Sequence, residues 1–368
     1  MAAHILIYAA AHDPTAGVLA DALRERGATA DVVDAAQVAG PAARATAVAG
    51  FAHESAVGKL AIDAGHLLGT HVPALRRAGS AALERVAGGR LRDHLREHPA
   101  DVVVSTFATT TELLGRMRLA TFDEDPGSLG TPVVSAITDL AGLRPHAHPG
   151  VDLHLIAHPE SKAEVLDIAG PHARVEAVHG LTDLGFTSPP ERLVARAELE
   201  LPSRGWLVVV SGGSRGIGDL PTAVQAALHY GANIVVVLTG HNAALRERLE
   251  QDHAGDERVQ VWGFTDRMVT LLAAADVVIH STAGLTVLEA LMSGCRVISF
   301  GWPHGRVRAN ERVYAELGIV AVATTRRHLA HAIVEAIAAP RSGPQVPELP
   351  VAADLVLGLA ERAPAHAG

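Results

Sequence analysis

Two short segments of the sequence carry residue types that suit the binding of an anion. The first, GGSRG at residues 212–216, directly follows the apolar run 207–210. Glycines let backbone N–H groups approach an anion without obstructing side chains, and a helix that follows adds the positive end of its dipole. The segment predicts phosphate contacts from Gly212, Gly213 and Ser214. It lacks the Gly-Lys-Ser/Thr of a P-loop, and a strand-to-helix turn without a ligand is the alternative.

The second segment, GLTVLEA at residues 284–290, follows the apolar run 277–279. The amides of Gly284, Leu285 and Thr286 begin a predicted helix, and with the Thr286 hydroxyl they can bind a diphosphate. Glu289 lies one turn into that helix, where its carboxylate can accept two hydrogen bonds from a ribose diol. The alternative is a capping box in which Thr286 and Glu289 satisfy the first amides of the helix. Both interpretations stay open at this point.

Both segments belong to a chain in which short β-branched runs alternate with longer helical stretches. This alternation is typical of parallel sheets covered by helices, and it predicts an α/β fold with two doubly wound domains. We expect a first domain over residues 1–187, a linker rich in proline and charge over 188–202, and a second domain over 203–339. A Pro-rich tether and a final helix fill residues 340–368.

The composition excludes several classes of protein. The chain has 368 residues, of which 48% are hydrophobic and 19% charged, as expected of globular domains. Its net charge of -9 argues against nucleic-acid binding, because phosphates demand basic surfaces. The single cysteine, Cys295, excludes an intrachain disulfide and a Cys-rich zinc site. No apolar run reaches membrane-spanning length and no basic leader precedes the first strand, so we expect a cytoplasmic protein.

The order and spacing of the C-terminal motifs resemble glycosyltransferase family 28. This family includes the N-acetylglucosaminyltransferase of lipid II synthesis and the monogalactosyl- and glucosyl-diacylglycerol synthases. The matching residues are Gly212-Gly213-Ser214-x-Gly216, Gly263-Phe264-x-Asp266-x-Met268, Ala274, Asp276, Gly284-Leu285-Thr286-x-x-Glu289-Ala290 and Gly294. The N-terminal half resembles the diacylglycerol synthases more weakly, through TPVV at residues 131–134 and Ile137-Thr138-Asp139.

The resemblance implies a GT-B fold of two facing Rossmann-like domains. It places the acceptor in the N-terminal half and a UDP-sugar donor in the C-terminal half, with no metal and no other cofactor. Within the donor site it assigns the diphosphate to residues 284–286 and the ribose to Glu289. It places Phe264 beside the uracil, with Thr265 and Met268 in the same stretch. Residues 212–214 line the site beside the phosphates.

The transfer also requires a general base for the acceptor hydroxyl. In the family a histidine after the first strand, in a Gly-Gly-x-Gly-Gly-His or Gly-Gly-Gly-His loop, is placed for that role. The equivalent residue is His12, but alanines at 9–11 replace the glycines and cannot adopt positive backbone angles cheaply. The alternative makes His12 a capping or solvent-facing residue, with Asp13 as the helix N-cap. Asp139 is the second candidate base, or else caps the turn that follows it.

The segment after the strand at residues 296–300 also departs from the family. A Gln-Glu or Gln-Gln pair usually binds the donor sugar there, whereas this chain has PHGRVRAN at residues 303–310. His304, Gly305 and Asn310 keep the frame of that motif. Arg306 and Arg308 supply only donors and fixed positive charge, which suits the diphosphate, an acidic sugar or a solvated surface.

The acceptor is the least constrained part of the prediction. Six arginines lie within residues 67–96, namely Arg76, Arg77, Arg85, Arg90, Arg92 and Arg96. A basic helical face suits peripheral contact with the inner face of a membrane, and a solvated face is the alternative. The sequence does not indicate an oligomeric state.

Three functional hypotheses remain from the sequence. The first is an inverting glycosyltransferase that moves a hexose from a UDP-sugar to a hydroxyl of a lipid or a small metabolite. The second is a nucleotide-sugar epimerase or hydrolase of related fold. The third is a non-catalytic protein that binds nucleotide sugars, and the lost glycines and missing glutamines motivate it.

Overall fold

The computed structural model describes residues 2–11, 13–40, 82, 84–120, 129–301, 304, 306–339, 343–344 and 346–362. The chain folds into two compact units. The first combines Met1–Thr182 with Glu348–Gly368, and the second is Asp183–Pro347. None of the described helices is long and apolar enough to cross a membrane.

The first unit is a parallel sheet with helices. Its strands are β1 (His4–Ala9), β2 (Thr29–Asp34), β3 (Val102–Ser105), β4 (Val133–Ile137), β5 (Leu153–Ile156) and β6 (Val175–Ala177). Its described helices are α1 (Pro14–Glu25), α2 (Ala35–Ala39), α3 (Gly89–Glu97), α4 (Ala108–Ala120), α5 (Lys162–Ala169) and, from the end of the chain, α13 (Ala352–Ala360).

The strands of the first sheet lie in the order β2-β1-β3-β4-β5-β6, and all pairs are parallel. The strand order reverses between β1 and β3, so a ligand site is expected beyond the carboxyl ends of these two strands. Strands β3, β4 and β5 are buried along their whole length, which explains their near-continuous apolar sequences.

The second unit repeats this architecture. Its strands are β7 (Leu207–Ser211), β8 (Ile234–Leu238), β9 (Val259–Trp262), β10 (Val277–His280), β11 (Arg296–Phe300) and β12 (Ala321–Ala323). Its described helices are α6 (Arg192–Glu198), α7 (Leu220–His229), α8 (Ala243–Asp252), α9 (Met268–Ala274), α10 (Leu285–Met292), α11 (Arg306–Leu317) and α12 (Arg326–Ala338).

The second sheet has the strand order β12-β11-β10-β7-β8-β9 and is also parallel throughout. Counted from β7, this is the 3-2-1-4-5-6 order of dinucleotide-binding domains, whose switch point lies between the first and fourth strands. Here those strands are β7 and β10. The prediction of an α/β protein with two doubly wound domains is confirmed for each unit.

The stretch predicted as a linker, residues 188–202, contains helix α6 and folds with the second unit. Arg196 on this helix is only 1% exposed, and its guanidinium donates to Asp276 Oδ2 at 2.7 Å and to the Ala274 carbonyl at 3.0 Å. Asp276 also accepts a hydrogen bond from the Leu207 amide, so one buried carboxylate joins α6 to the start of β7. The stretch whose composition indicated a linker therefore contains a helix that a buried ion pair holds in place.

The final helix, α13, belongs to the first unit although it follows the whole second unit in sequence. Asp354 on α13 accepts from Arg26 Nε at 2.6 Å, next to the end of α1. Val351 forms a parallel bridge with His179, and Ala352, Ala353 and Val356 are buried. The last described residues of the chain thus complete the core of the first unit.

Candidate functional site

The two segments that the sequence predicts to bind an anion meet at the switch point of the second sheet. Ser211 ends β7 and His280 ends β10, and the two are partners in adjacent parallel strands. The loops that follow, residues 212–219 and 281–284, therefore emerge side by side at the carboxyl edge of the sheet. A Cβ built on Gly213 would lie 3.1 Å from Thr282 Oγ1, which shows how closely the loops approach each other.

The glycine-rich loop is held by its neighbours at distances that exclude side chains. A Cβ on Gly216 would lie 2.5 Å from the Thr239 carbonyl oxygen, and one on Gly240 would lie 2.3 Å from the Ser214 carbonyl oxygen. Gly213, Gly216 and Gly240 all have positive φ. Gly216 and Gly240 are therefore required by close backbone approach as well as by their conformation, and Gly213 by its conformation.

The helix after the glycine-rich loop does not present an open N-terminus. Residues 213–215 form a single 3-10 turn, and α7 begins only at Leu220. Asp219 is its N-cap, and the Asp219 side chain accepts from the Thr222 amide. The expectation that this helix adds its positive end to the first segment is therefore wrong, because the chain's own carboxylate caps it.

Helix α10, in contrast, begins without a side-chain cap. Its N-cap is Gly284, which has no side chain to bond the first amides, and among the described residues beyond its chain neighbours no atom lies within 4 Å of a Cβ placed there. Thr286 is the second helical residue, so it is not the N-cap that a capping box with Glu289 requires. Thr286 and Glu289 are half-buried and three residues apart, on one face of the helix. The capping-box alternative is wrong, and the start of α10 suits an anion.

Polar side chains fix the loop that leads into α10. Ser281 Oγ donates to the carbonyls of Ile217 and Ser211, which joins this loop to the glycine-rich loop. Thr282 Oγ1 lies 2.8 Å from His280 Nε2. His280 is buried, and burial lowers its pKa to about 4, so the ring is neutral at pH 7. Sequence reasoning missed His280, although its place at the end of β10 was a usable signal.

Phe264 lies after β9, at the same edge of the sheet, and is 62% exposed. Its ring stacks on His241 with 4.4 Å between centroids and 11° between planes. The His241 amide donates to the Ser214 carbonyl at 2.8 Å, so the ring pair adjoins the glycine-rich loop. His241 was not among the predicted site residues.

The other predicted residues near Phe264 have local structural contacts. Thr265 Oγ1 accepts from the Arg267 amide at 3.1 Å. Met268 is the first residue of α9 and is half-buried. Exposed aromatic surface beside a glycine-rich loop can stack against a nucleobase.

The segment in which the sequence departs from the family forms the start of α11. Arg306 is the first residue of α11. His304 is half-buried and Arg308 is exposed, whereas Gly305 lies outside the described residues. Asn310 is 1% exposed, and its Nδ2 donates to the Ala283 carbonyl at 3.1 Å. It was predicted among the donor-binding residues, and the structure buries it against the loop before α10.

Glu311, next to Asn310, is a buried carboxyl group that sequence reasoning missed. It accepts from Ser299 Oγ at 2.6 Å, at the carboxyl end of β11. Burial raises its pKa, and the Ser299 hydrogen bond and the charges of Arg308 and His304 oppose the rise. The polar edge of the second sheet therefore extends from β7 across β10 to β11.

In the first unit the predicted base His12 lies outside the described residues. Asp13 is the N-cap of α1, with its Oδ1 accepting from the Thr15 amide at 3.0 Å, as one sequence interpretation held. Asp13 Oδ2 also accepts from Thr106 Oγ1, which joins the loop after β1 to the loop after β3. Glu200 and Ala283 are the only described non-glycine residues with positive φ, so Ala10 and Ala11 do not adopt glycine-like angles.

Asp139, the second predicted base, lies just beyond β4 and is 6% exposed. Its Oδ2 is 4.0 Å from Nε2 of the partly exposed His146. The buried His158 follows β5, and burial lowers its pKa to about 4, against the opposing charges of Glu160 and Asp139. The amides of Gly142 and Leu143 in the following turn are bonded by Glu164. A carboxylate and two imidazoles thus gather at the carboxyl edge of the first sheet.

The predicted basic face is partly neutralised by its own unit. Arg92 pairs with Glu84 at 3.0 Å, and Arg96 pairs with Asp93 at 3.3 Å. Arg90 donates to the Ala39 carbonyl, and Arg85 is exposed. Arg76 and Arg77 lie outside the described residues. Within the part of the chain that the structure describes, no group of three or more His, Cys, Asp and Glu residues could hold a metal ion.

Comparisons with known proteins agree with this architecture. Residues 16–181 match the family model of monogalactosyldiacylglycerol (MGDG) synthase, and residues 210–339 match that of glycosyl transferases group 1. The fold is similar to the crystal structure of Acinetobacter baumannii MurG, with a TM-score of 0.54 and 15% sequence identity. The match covers 99% of this chain and 95% of that one. Arabidopsis thaliana UGT89C1 complexed with UDP is also similar, with a TM-score of 0.55, 14% identity, and coverage of 98% and 94%.

The fold is the GT-B fold that these glycosyltransferase structures share. The match of residues 16–181 to the MGDG synthase model is similar in kind to the family 28 resemblance that the motifs indicated. A processive diacylglycerol beta-glucosyltransferase of Bacillus subtilis (strain 168) is 21% identical over 258 residues, 69% of this chain and 65% of that relative. One of Staphylococcus aureus (strain Newman) is 22% identical over 63% of this chain and 57% of that relative. The chain thus matches less than two thirds of the length of these relatives.

Proposed function

We propose that the protein is a metal-independent, inverting glycosyltransferase that transfers a hexose from a UDP-sugar to a hydroxyl group of a lipid or small-metabolite acceptor. One observation carries the proposal. The uncapped start of α10 opens at the switch point of the second sheet, directly beside a loop of closely packed glycines. Amides and a helix dipole at that point suit a diphosphate. The names of the relatives add diacylglycerol as the first acceptor to test.

The proposed reaction is a single displacement at the anomeric carbon. The acceptor oxygen forms the new bond to C1 as the bond from C1 to the diphosphate oxygen breaks, and the configuration inverts. UDP leaves with the bonding electron pair, and its growing negative charge is stabilised by the amides of residues 284–286. The acceptor proton passes to a base of the first unit, for which Asp139 and His12 are the candidates.

The remaining site residues bind and orient the donor. Glu289 accepts hydrogen bonds from the ribose hydroxyls, and Phe264 stacks beside the base. Arg306 and Arg308, which stand where the resemblance implies a Gln-Glu or Gln-Gln pair, contact the diphosphate or an acidic group of the donor. No cofactor other than the donor substrate takes part.

Two measurements test this proposal. Thermal unfolding is followed with UDP, GDP and TDP, because a ligand at one hundred times its Kd stabilises the native state by about 2.7 kcal/mol. Radiolabelled UDP-glucose is then incubated with diacylglycerol in mixed micelles, with and without EDTA. We expect stabilisation by UDP and labelled glycolipid in both reactions.

Other outcomes separate the alternatives. Conversion of the donor without an acceptor indicates an epimerase or hydrolase, and stabilisation by UDP without any turnover indicates a non-catalytic binder. If no nucleotide stabilises the protein, the assignment of the donor site is wrong. Loss of product on addition of EDTA contradicts metal independence.

A further inference from the structure

The loop before α10 contains a backbone conformation that its sequence does not favour. Ala283 has a φ of 46°, in the left-handed region that favours glycine, and it is buried. An alanine in this region is strained because its Cβ approaches the backbone oxygen, so the surrounding structure must hold it there.

Asn310 supplies a contact that holds Ala283, from a distant part of the chain. Its Nδ2 donates to the Ala283 carbonyl oxygen at 3.1 Å, and the bond is buried. Asn310 lies on α11, 27 residues further along the chain, and is 1% exposed. A buried hydrogen bond of this kind is strongly directional, so it fixes the orientation of the carbonyl group.

The orientation of this carbonyl determines that of an amide in the proposed donor site. The Ala283 C=O and the Gly284 N–H belong to one peptide group, which is planar and trans. The two bonds therefore point in opposite directions, and holding the oxygen toward Asn310 aims the Gly284 N–H away from it. Gly284 is the N-cap of α10 and has no side chain with which to cap the helix.

We propose that Asn310 is a positioning residue that holds Ala283 in the left-handed conformation and so aims the Gly284 amide at the donor diphosphate. This inference rests on the proposed function, because it takes a nucleoside diphosphate as the ligand of α10. It assigns Asn310 an indirect role, consistent with its burial. The neighbouring loop contacts, from Ser281 to Ile217 and from Thr282 to His280, hold the rest of the same loop.

A double-mutant cycle between residues 283 and 310 tests the inference. UDP affinity is measured by calorimetry for the wild type, Asn310→Ala, Ala283→Gly and the double variant. In the wild-type background we expect Asn310→Ala to weaken UDP binding about tenfold, because alanine at position 283 leaves the strained conformation once the bond is lost. In the Ala283→Gly background we expect a loss of about threefold or less, because glycine retains a positive φ without help.

Tyr314→Leu is the matched control. Tyr314 is buried on the same helix, one turn beyond Asn310. This variant lowers the urea midpoint of unfolding, yet we expect it to leave the UDP affinity of the folded protein within about twofold. If Tyr314→Leu weakens UDP binding as strongly as Asn310→Ala, or if Ala283→Gly gives no rescue, the positioning role is wrong.

The same variants distinguish failure of this inference from failure of the proposed function. Urea unfolding without any nucleotide gives the coupling between positions 283 and 310 directly. Because the wild-type loop releases its strain when the bond is lost, we expect Asn310→Ala to lower the urea midpoint less in the wild-type background than in the Ala283→Gly background. If the wild type does not bind UDP, the proposed function fails together with the assigned ligand, while this coupling still tests the strained loop. Equal shifts in both backgrounds overturn the inference.

Discussion

The two units share a six-stranded parallel sheet but carry different chemistry at its carboxyl edge. In the second unit the edge is formed by close-packed glycines and the uncapped start of α10. In the first unit, Asp139, His146 and His158 gather beyond β4 and β5. Backbone dipoles do not titrate, whereas carboxylates and imidazoles do. The same architecture thus presents mainly backbone dipoles at the carboxyl edge of one sheet and mainly titratable side chains at that of the other.

The largest predicted effect of this difference concerns acid stability. Burial lowers the pKa of three histidines to about 4. Two of them, His154 and His158, lie in the first unit, and His280 lies in the second. Unfolded histidine titrates near 6.5, so the unfolded chain binds more protons between these values. Each neutral, buried histidine therefore contributes about 3 kcal/mol to the free energy of unfolding. This contribution is complete above pH 6.5 and is lost as the pH falls toward 4. The first unit should therefore unfold at higher pH than the second.

Spectroscopy can separate the two units during acid titration. All three tryptophans, at positions 206, 262 and 302, belong to the second unit, so their fluorescence reports on that unit alone. We expect far-UV circular dichroism to begin its loss at higher pH than tryptophan fluorescence. His158→Gln should move the first transition to lower pH, whereas the exposed His172→Gln should leave it in place. Coincident transitions would contradict the comparison.

The next effect is on turnover and concerns the first unit. Asp139→Asn keeps the shape of the side chain but removes its ability to take a proton. If Asp139 is the base, kcat falls about a thousandfold while the KM for the UDP-sugar stays within about threefold. His12→Ala is the parallel variant. A loss in His12→Ala alone assigns the base to His12 and leaves Asp139 a structural role.

The glycine-rich edge of the second unit gives the third prediction. Gly240→Ala would place a Cβ 2.3 Å from the Ser214 carbonyl oxygen at a φ of 58°, forcing the two loops apart. We expect UDP affinity to fall about a hundredfold, with a loss of about 2 kcal/mol in unfolding free energy. Gly255→Ala is the control, because Gly255 has a φ of 86° with no atom within 4 Å of its Cβ position. Equal losses of UDP affinity in the two variants would show that loop proximity is unimportant.

The sequence predicted the parts of the site that depend on local pattern. Apolar runs followed by glycines or small residues marked the carboxyl ends of β7 and β10, and α10 begins at Leu285, within the predicted helix start at residues 284–286. The capped start of α7 was also readable, because Asp219 followed by Pro221 is a helix-start signal. That signal contradicted the anion-binding role given to this helix.

The contacts that were not predicted join residues far apart in sequence. Arg196 meets Asp276 across 80 residues, and Asn310 meets Ala283 across 27. The stacking of His241 on Phe264 likewise depends on two loops after adjacent strands. Such pairs follow from tertiary packing, which periodicity and spacing do not encode. The positive φ of Ala283 was unreadable for the same reason, since alanine does not favour it.

The smallest predicted effect tests the nucleobase end of the site. Phe264→Ala removes an exposed ring stacked on His241, so the free energy of unfolding should change by less than about 0.5 kcal/mol. Loss of base stacking should weaken UDP binding about tenfold. The effect should be equally large for uridine, which lacks the diphosphate, whereas Gly240→Ala should weaken uridine much less than UDP. If Phe264→Ala spares uridine, Phe264 does not contact the base, and the base must bind elsewhere along the edge of the second sheet.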